Sequence, residues 1–140
     1  MKKITVFALV AMMAAVAGCA TRPISTSQAN LVPDKRILDK QLTTLKSNTV
    51  EVVVKRDSGM MGSLCNTKIF INGSPSAELA PSEKVTFYLP EGSHIIGAWP
   101  NNPCGGAMSE VEARVIKGRP LAFRVGYGTN GDYFINPTAF

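Results

Sequence analysis

One histidine, one tryptophan and three cysteines in 140 residues leave little material for side-chain catalysis. A hydrolytic triad needs a nucleophile, an imidazole and a carboxylate within hydrogen-bond reach. The single imidazole, His94, falls inside an expected strand just after a turn. Asp57-Ser58-Gly59 and Glu91 lie in expected loops, and nothing in their spacing demands that they approach it. Asp57, Glu91 and Asp132 read as turn residues whose carboxylates bond nearby backbone amides. No glycine-rich phosphate loop precedes a helix, and Gly105-Gly106 reads as a tight loop after Cys104. Zinc sites use close-set ligand pairs, which two remote cysteines and a distant His94 do not provide. No run of Lys and Arg forms the basic stripe that nucleic acid requires. The expectation is therefore a non-enzymatic chain with no metal and no nucleic-acid partner.

A long hydrophobic run is also missing. The apolar stretch at residues 4–17 is interrupted only by Thr5, and it falls short of the roughly 20 residues that span a bilayer. Preceded by Met1-Lys2-Lys3, it has the length of a secretory signal core, about 7–15 residues ending in small side chains. Val16-Ala17-Gly18-Cys19 then resembles the lipobox of bacterial lipoproteins, an aliphatic residue and two small ones before an obligatory cysteine. That resemblance implies diacylglycerol on the Cys19 sulfur, cleavage between Gly18 and Cys19, and acylation of the freed amine. The covalent lipid would be the only prosthetic group. Each buried methylene contributes about 0.8 kcal/mol, so several chains make a lasting membrane anchor. The sorting pattern of the same family, with Ala20 rather than aspartate after the cysteine, implies the outer membrane, and the expectation is a domain that faces the periplasm. Lys2 and Lys3 leave with the signal, which lowers the formal charge of +5 by two.

With Cys19 taken by lipid, Cys65 and Cys104 remain in a chain delivered to an oxidising compartment. Two thiols permit one intramolecular pairing. A bridge closing a loop of this size contributes roughly 4 kcal/mol in the chain-entropy account.

Residues 19–33 read as a lipidated flexible tether, rich in Thr, Ser, Gln and Asn with scattered apolar positions. Residues 34–47 read as a short amphipathic helix. Leu38, Leu42 and Leu45 fall at i, i+4 and i+7, Ile37 stands beside them, and Asp34 follows Pro33 as a cap. Such a helix packs on its own domain or docks on a partner or membrane.

From residue 48 to 140 the period is two. Val50, Val52 and Val54 alternate with Glu51 and Lys55, and Val85, Phe87 and Leu89 with Lys84, Thr86 and Tyr88. Val111, Ala113 and Val115, then Leu121, Phe123 and Val125, repeat the pattern. Strands at residues 67–71, 93–99 and 133–135 bring the expected number to seven, with turns at Asn72-Gly73, Pro90-Glu91-Gly92, Lys117-Gly118 and Asn130-Gly131. The predicted fold is all-β, an antiparallel β-sandwich of about seven strands. Residues 68–73, Glu78-Leu79 and 85–94, with their "NG" and "EG-x-H" turns, resemble PEGA-type and related small envelope sandwich domains. That resemblance implies the fold and no activity.

Two loops flank the cysteines. Met60 and Met61 precede Cys65, while Trp99 and Met108 bracket Cys104. Bridged together, they form a candidate partner-binding rim, in which methionines adapt and tryptophan anchors, or else they close the end of the core. The functional expectation is an accessory or structural interaction subunit of a cell-envelope assembly. The alternative is a free-standing periplasmic or surface binding protein, such as an inhibitor of a wall-degrading enzyme.

Overall fold

The computed structural model describes residues 21–140; Gly18, Cys19 and the expected signal lie outside the described residues. Nine strands follow in chain order: β1 (Asn30–Leu31), β2 (Thr49–Arg56), β3 (Thr67–Ile71), β4 (Ser74–Leu79), β5 (Glu83–Pro90), β6 (Gly92–Pro100), β7 (Ser109–Val115), β8 (Leu121–Tyr127) and β9 (Tyr133–Pro137). They form two sheets, ordered β1-β5-β2-β8-β9 and β4-β3-β6-β7. The strand count therefore exceeds the expected seven, and the first sheet is mixed, because β2 runs parallel to β8 and β1 parallel to β5.

Alternation builds the core as the sequence implies. Val52, Val54, Phe87 and Val125 from the first sheet meet Ile69, Leu79, Ile96 and Ala98 from the second, all essentially without solvent exposure. Each large side chain so buried stabilises the fold by about 1.5–3 kcal/mol. The Asn72-Gly73 turn uses positive φ at both residues, the geometry that a two-residue hairpin favours.

The expected helix at residues 34–47 is absent; among the described residues only a single 3-10 turn, Asp34–Arg36, is helical. Its backbone is committed to strand edges instead. A bulge between Ile69 and Phe70 leaves Ser76 of β4 without a partner on β3. The Ser76 carbonyl accepts the N–H groups of Leu38 and Asp39, at 2.9 and 3.1 Å. The Tyr88 N–H donates to the Leu42 carbonyl at 2.7 Å. Ile37 and Leu42 pack on the core, while Leu38 and Leu45 stay exposed, so the leucine spacing never forms one buried stripe. This strap covers the edge of β4, which would otherwise offer a template for strand addition.

Residues 21–33 also lie against the domain rather than hanging from it as a tether. Lys55 and Lys84 project from the outer face of the first sheet, where Lys84 Nζ donates to the Thr26 carbonyl at 2.5 Å and Lys55 Nζ to Thr26 Oγ1 at 3.3 Å. Ala29 and Val32 are buried, and β1 pairs with the start of β5. Composition alone made this segment look unable to order itself; a sheet face whose lysines need acceptors orders it.

Candidate functional site

The ends of β2, β4, β6 and β8 and the starts of β3, β5, β7 and β9 gather at one end of the sandwich. Cys65 and Cys104 are joined there as a disulfide with a Cα–Cα distance of 6.0 Å. Arg56, an inward position of β2, is 3% exposed. Its guanidinium donates to the carbonyls of Cys65, Leu79 at 2.9 Å and Gly62 at 2.6 Å. Burial lowers the Arg56 pKa from its ordinary value, partly opposed by Tyr133 and Tyr127. A planar fork with several donors suits such a hub, because it reaches carbonyls of the loop and of β4 at once. The loop at residues 58–65 is thus fastened from within. Gly62, at φ +67°, lies so close to Tyr127 that a Cβ there would stand 2.4 Å from the ring.

The expected rim residues divide into two groups. Met60 is 85% exposed and Met61 half-buried, both on this fastened loop. Trp99 and Met108 instead belong to the outer face of the second sheet. Trp99 pairs with Lys68, and its indole N–H donates to the Gly106 carbonyl at 3.3 Å. Met108 precedes the β6–β7 pair of Ala98 and Ser109, and its sulfur closes over Gly97. Phe70 Cβ reaches the same point from β3. Ile95, Trp99 and Met108 are 42%, 49% and 40% exposed, so they do not close the core. An apolar strip therefore runs along the outside of β6, bordered by Lys68 and Glu78 on one flank and Glu110 and Glu112 on the other. At its disulfide end is a shallow groove of about 380 Å³ lined by Lys68, Phe70, Pro75, Trp99, Pro100 and Asn101.

His94 and Asp57 are held at opposite ends of the sandwich. His94 sits at the opposite end, where Nδ1 accepts from the Asn72 side-chain amide at 3.1 Å and Nε2 donates to the Pro90 carbonyl at 2.9 Å. Asn72 Oδ1 accepts the Ile95 N–H at 2.9 Å. The "NG" and "EG-x-H" turns thus touch: the imidazole brackets two hairpins, with both nitrogens engaged. Asp57, at the disulfide end, is not a solvated turn residue. Its carboxylate is fully buried and bound by Arg124 through Nε at 3.2 Å and through Nη2.

Sequence reasoning missed this polar cluster. Thr21 Oγ1 faces Asp57 Oδ2 at 3.3 Å, and the Tyr127 N–H donates to it at 2.9 Å. Burial lowers the Lys55 pKa from its ordinary value, and the Asp57 charge partly restores it. A faint signal existed in Lys55-Arg56-Asp57, three successive charges closing a valine-rich strand.

No family model, no curated protein and no solved structure matches this chain.

Proposed function

We propose that this chain is a non-catalytic interaction subunit of a cell-envelope assembly, anchored on the outer membrane by lipid at Cys19 and facing the periplasm. The observation that carries the reading is the apolar strip outside β6. A sandwich sheet normally turns alternate polar residues to water. Here Ile95 and Trp99 stand on either side of Gly97 along β6, with Met108 and Phe70 of β3 closing over Gly97 from the flanks. Such a surface suits a protein contact, in which a partly buried tryptophan fills a partner pocket and charged flanks set register. The Cys65–Cys104 disulfide supports delivery to an oxidising compartment. The lipobox resemblance of Val16-Ala17-Gly18-Cys19 supports the anchor.

The test is a photocrosslinking amino acid placed at position 95 in living cells, with position 51, exposed on the outer face of the other sheet, as the control. The reading expects one discrete adduct from 95, none from 51, and loss of the adduct when Trp99→Ala is added. Equal labelling from both positions, or an adduct unaffected by W99A, overturns the contact face. The intact mass of the membrane-extracted protein tests the anchor. It should correspond to a chain beginning at Cys19 with acyl groups attached.

A further inference from the structure

If lipid is attached at Cys19, only Ala20 separates it from a residue locked into the domain. The Thr21 N–H donates to the Tyr127 carbonyl at 3.2 Å, and Thr21 Oγ1 takes part in the buried cluster around Asp57. Arg22 and Ser58 exchange both backbone hydrogen bonds, at 2.7 and 2.9 Å, as an antiparallel bridge. Two residues of extended chain reach at most about 7 Å. A lipid on Cys19 therefore leaves the disulfide end of the domain no slack to stand away from the bilayer.

The antiparallel sense of the Arg22–Ser58 bridge adds a direction. Chain leaving Ser58 runs the same way as chain leading back from Arg22 to Thr21. The loop at residues 58–65 thus sets out alongside Thr21, within two residues of a lipid on Cys19. It is stiff, being held by Arg56, the disulfide and Tyr127, yet it presents Met60 and Leu64 at 85% and 92% exposure. Those are the two most exposed large hydrophobic side chains among the described residues. Arg22, bridged to Ser58 where the loop begins, is exposed as well.

We propose that the loop at residues 58–65 seats in the membrane beside the lipid anchor, with Met60 and Leu64 entering the acyl region and the Arg22 guanidinium at the phosphates. The proposal rests on the lipid at Cys19 and adds an orientation to it: the disulfide end lies down, and the strip outside β6 stands at a fixed height above the surface. Stiffness matters because a preorganised loop loses little entropy on insertion. Each buried methylene strengthens association about fourfold, so two long apolar side chains make a real second contact.

The experiment uses the full mature lipidated protein in vesicles of phosphatidylethanolamine and phosphatidylglycerol doped with a phospholipid bearing a diazirine in its acyl chain. Intact mass first verifies lipid on Cys19. Irradiation should then label peptides spanning residues 58–65, and Met60→Ser with Leu64→Ser should lower that labelling at least about tenfold while leaving lipidation unchanged. A lipidated protein whose loop is not labelled, or whose label is indifferent to the two serines, overturns the seat and leaves the anchor standing. A mass without lipid on Cys19 overturns both. If the serine pair instead abolishes the in-cell adduct from position 95 with lipid labelling intact, the loop belongs to the protein contact and the membrane assignment falls.

Discussion

Asp57 and Arg124 form a two-pronged ion pair in which the carboxylate is wholly buried and the guanidinium remains about a quarter exposed, stacked 5.1 Å from the Phe134 ring. The inequality predicts an asymmetric response to mutation. Arg124→Met strands a buried negative charge, an effect of about 3–5 kcal/mol. Asp57→Asn frees a cation that can hydrate and keep its place over Phe134, so its cost should be smaller. Urea unfolding of both single variants and the double variant checks this. A double variant less destabilised than the two singles combined shows the coupling, whereas additivity within about 0.5 kcal/mol would contradict it.

Gly126 forms the floor of that cluster. A Cβ there would stand 2.5 Å from Thr21 Oγ1 and 2.6 Å from Asp57 Oδ2. Gly126→Ala should therefore expel Thr21 and release the start of the described chain, at a cost of about 1–3 kcal/mol. Hydrogen exchange reads it directly: the Tyr127 amide, bonded to Thr21 Oγ1, should lose protection, while the core of β6 should not. Unchanged exchange at Tyr127 would count against the arrangement.

Alkaline pH gives a third expectation. Burial raises the Tyr133 pKa far above its ordinary value of 10.0, opposed in part by its bond to Thr67 and by Arg56, and burial raises that of Tyr127 too. Below pH 10 both phenols are protonated in folded and unfolded chains, and the contribution is constant. Above pH 10 the unfolded chain releases protons that the folded one retains, so stability falls by up to about 1.4 kcal/mol per tyrosine per pH unit. Lys55 acts in the opposite sense: its lowered pKa makes stability rise with pH up to its ordinary value of 10.5, beyond which it adds no slope. Arg56, also lowered by burial, opposes the tyrosines in the same sense as Lys55, so the test is the difference between proteins: Tyr133→Phe should lose less stability above about pH 10.5 than the parent, measured as urea midpoints against pH. An unchanged slope in the variant would refute the assignment.

The sandwich was legible because its core strands obey strict alternation and its turns carry the required glycines, as at Asn72-Gly73 and Glu91-Gly92. Strand β4 was not: Ser74-Pro75-Ser76 has little strand character, and it is tolerated because β4 is an edge, where a missing Pro75 N–H breaks no inner ladder. Residues 21–47 were misread for a different reason. Their order comes from acceptors and donors on remote strands, Lys55, Lys84, Ser76 and Tyr88, which no local window contains. The strip outside β6 was half visible, since Trp99 and Met108 stood out, but Ile95 and Phe70 join them only through the register of β3, β6 and β7.

The disulfide supplies the last prediction. Cys65 and Cys104 are 39 positions apart, for which loop closure gives roughly 4 kcal/mol of stabilisation. Arg56 anchors the same loop independently through the carbonyls of Gly62 and Cys65, so opening the bridge should not melt it. Cys65→Ala with Cys104→Ala is expected to lower the urea midpoint substantially while leaving residues 58–65 resistant to limited proteolysis at neutral pH. Adding Arg56→Met removes the second fastening and takes a donor from the buried carbonyls of Cys65 and Leu79, at about 1–3 kcal/mol for each left unpaired. Only this triple variant should be cut within residues 58–65. Cleavage already in the cysteine-free protein would mean that the bridge alone holds the loop, and that the guanidinium hub is a consequence of its order rather than a cause.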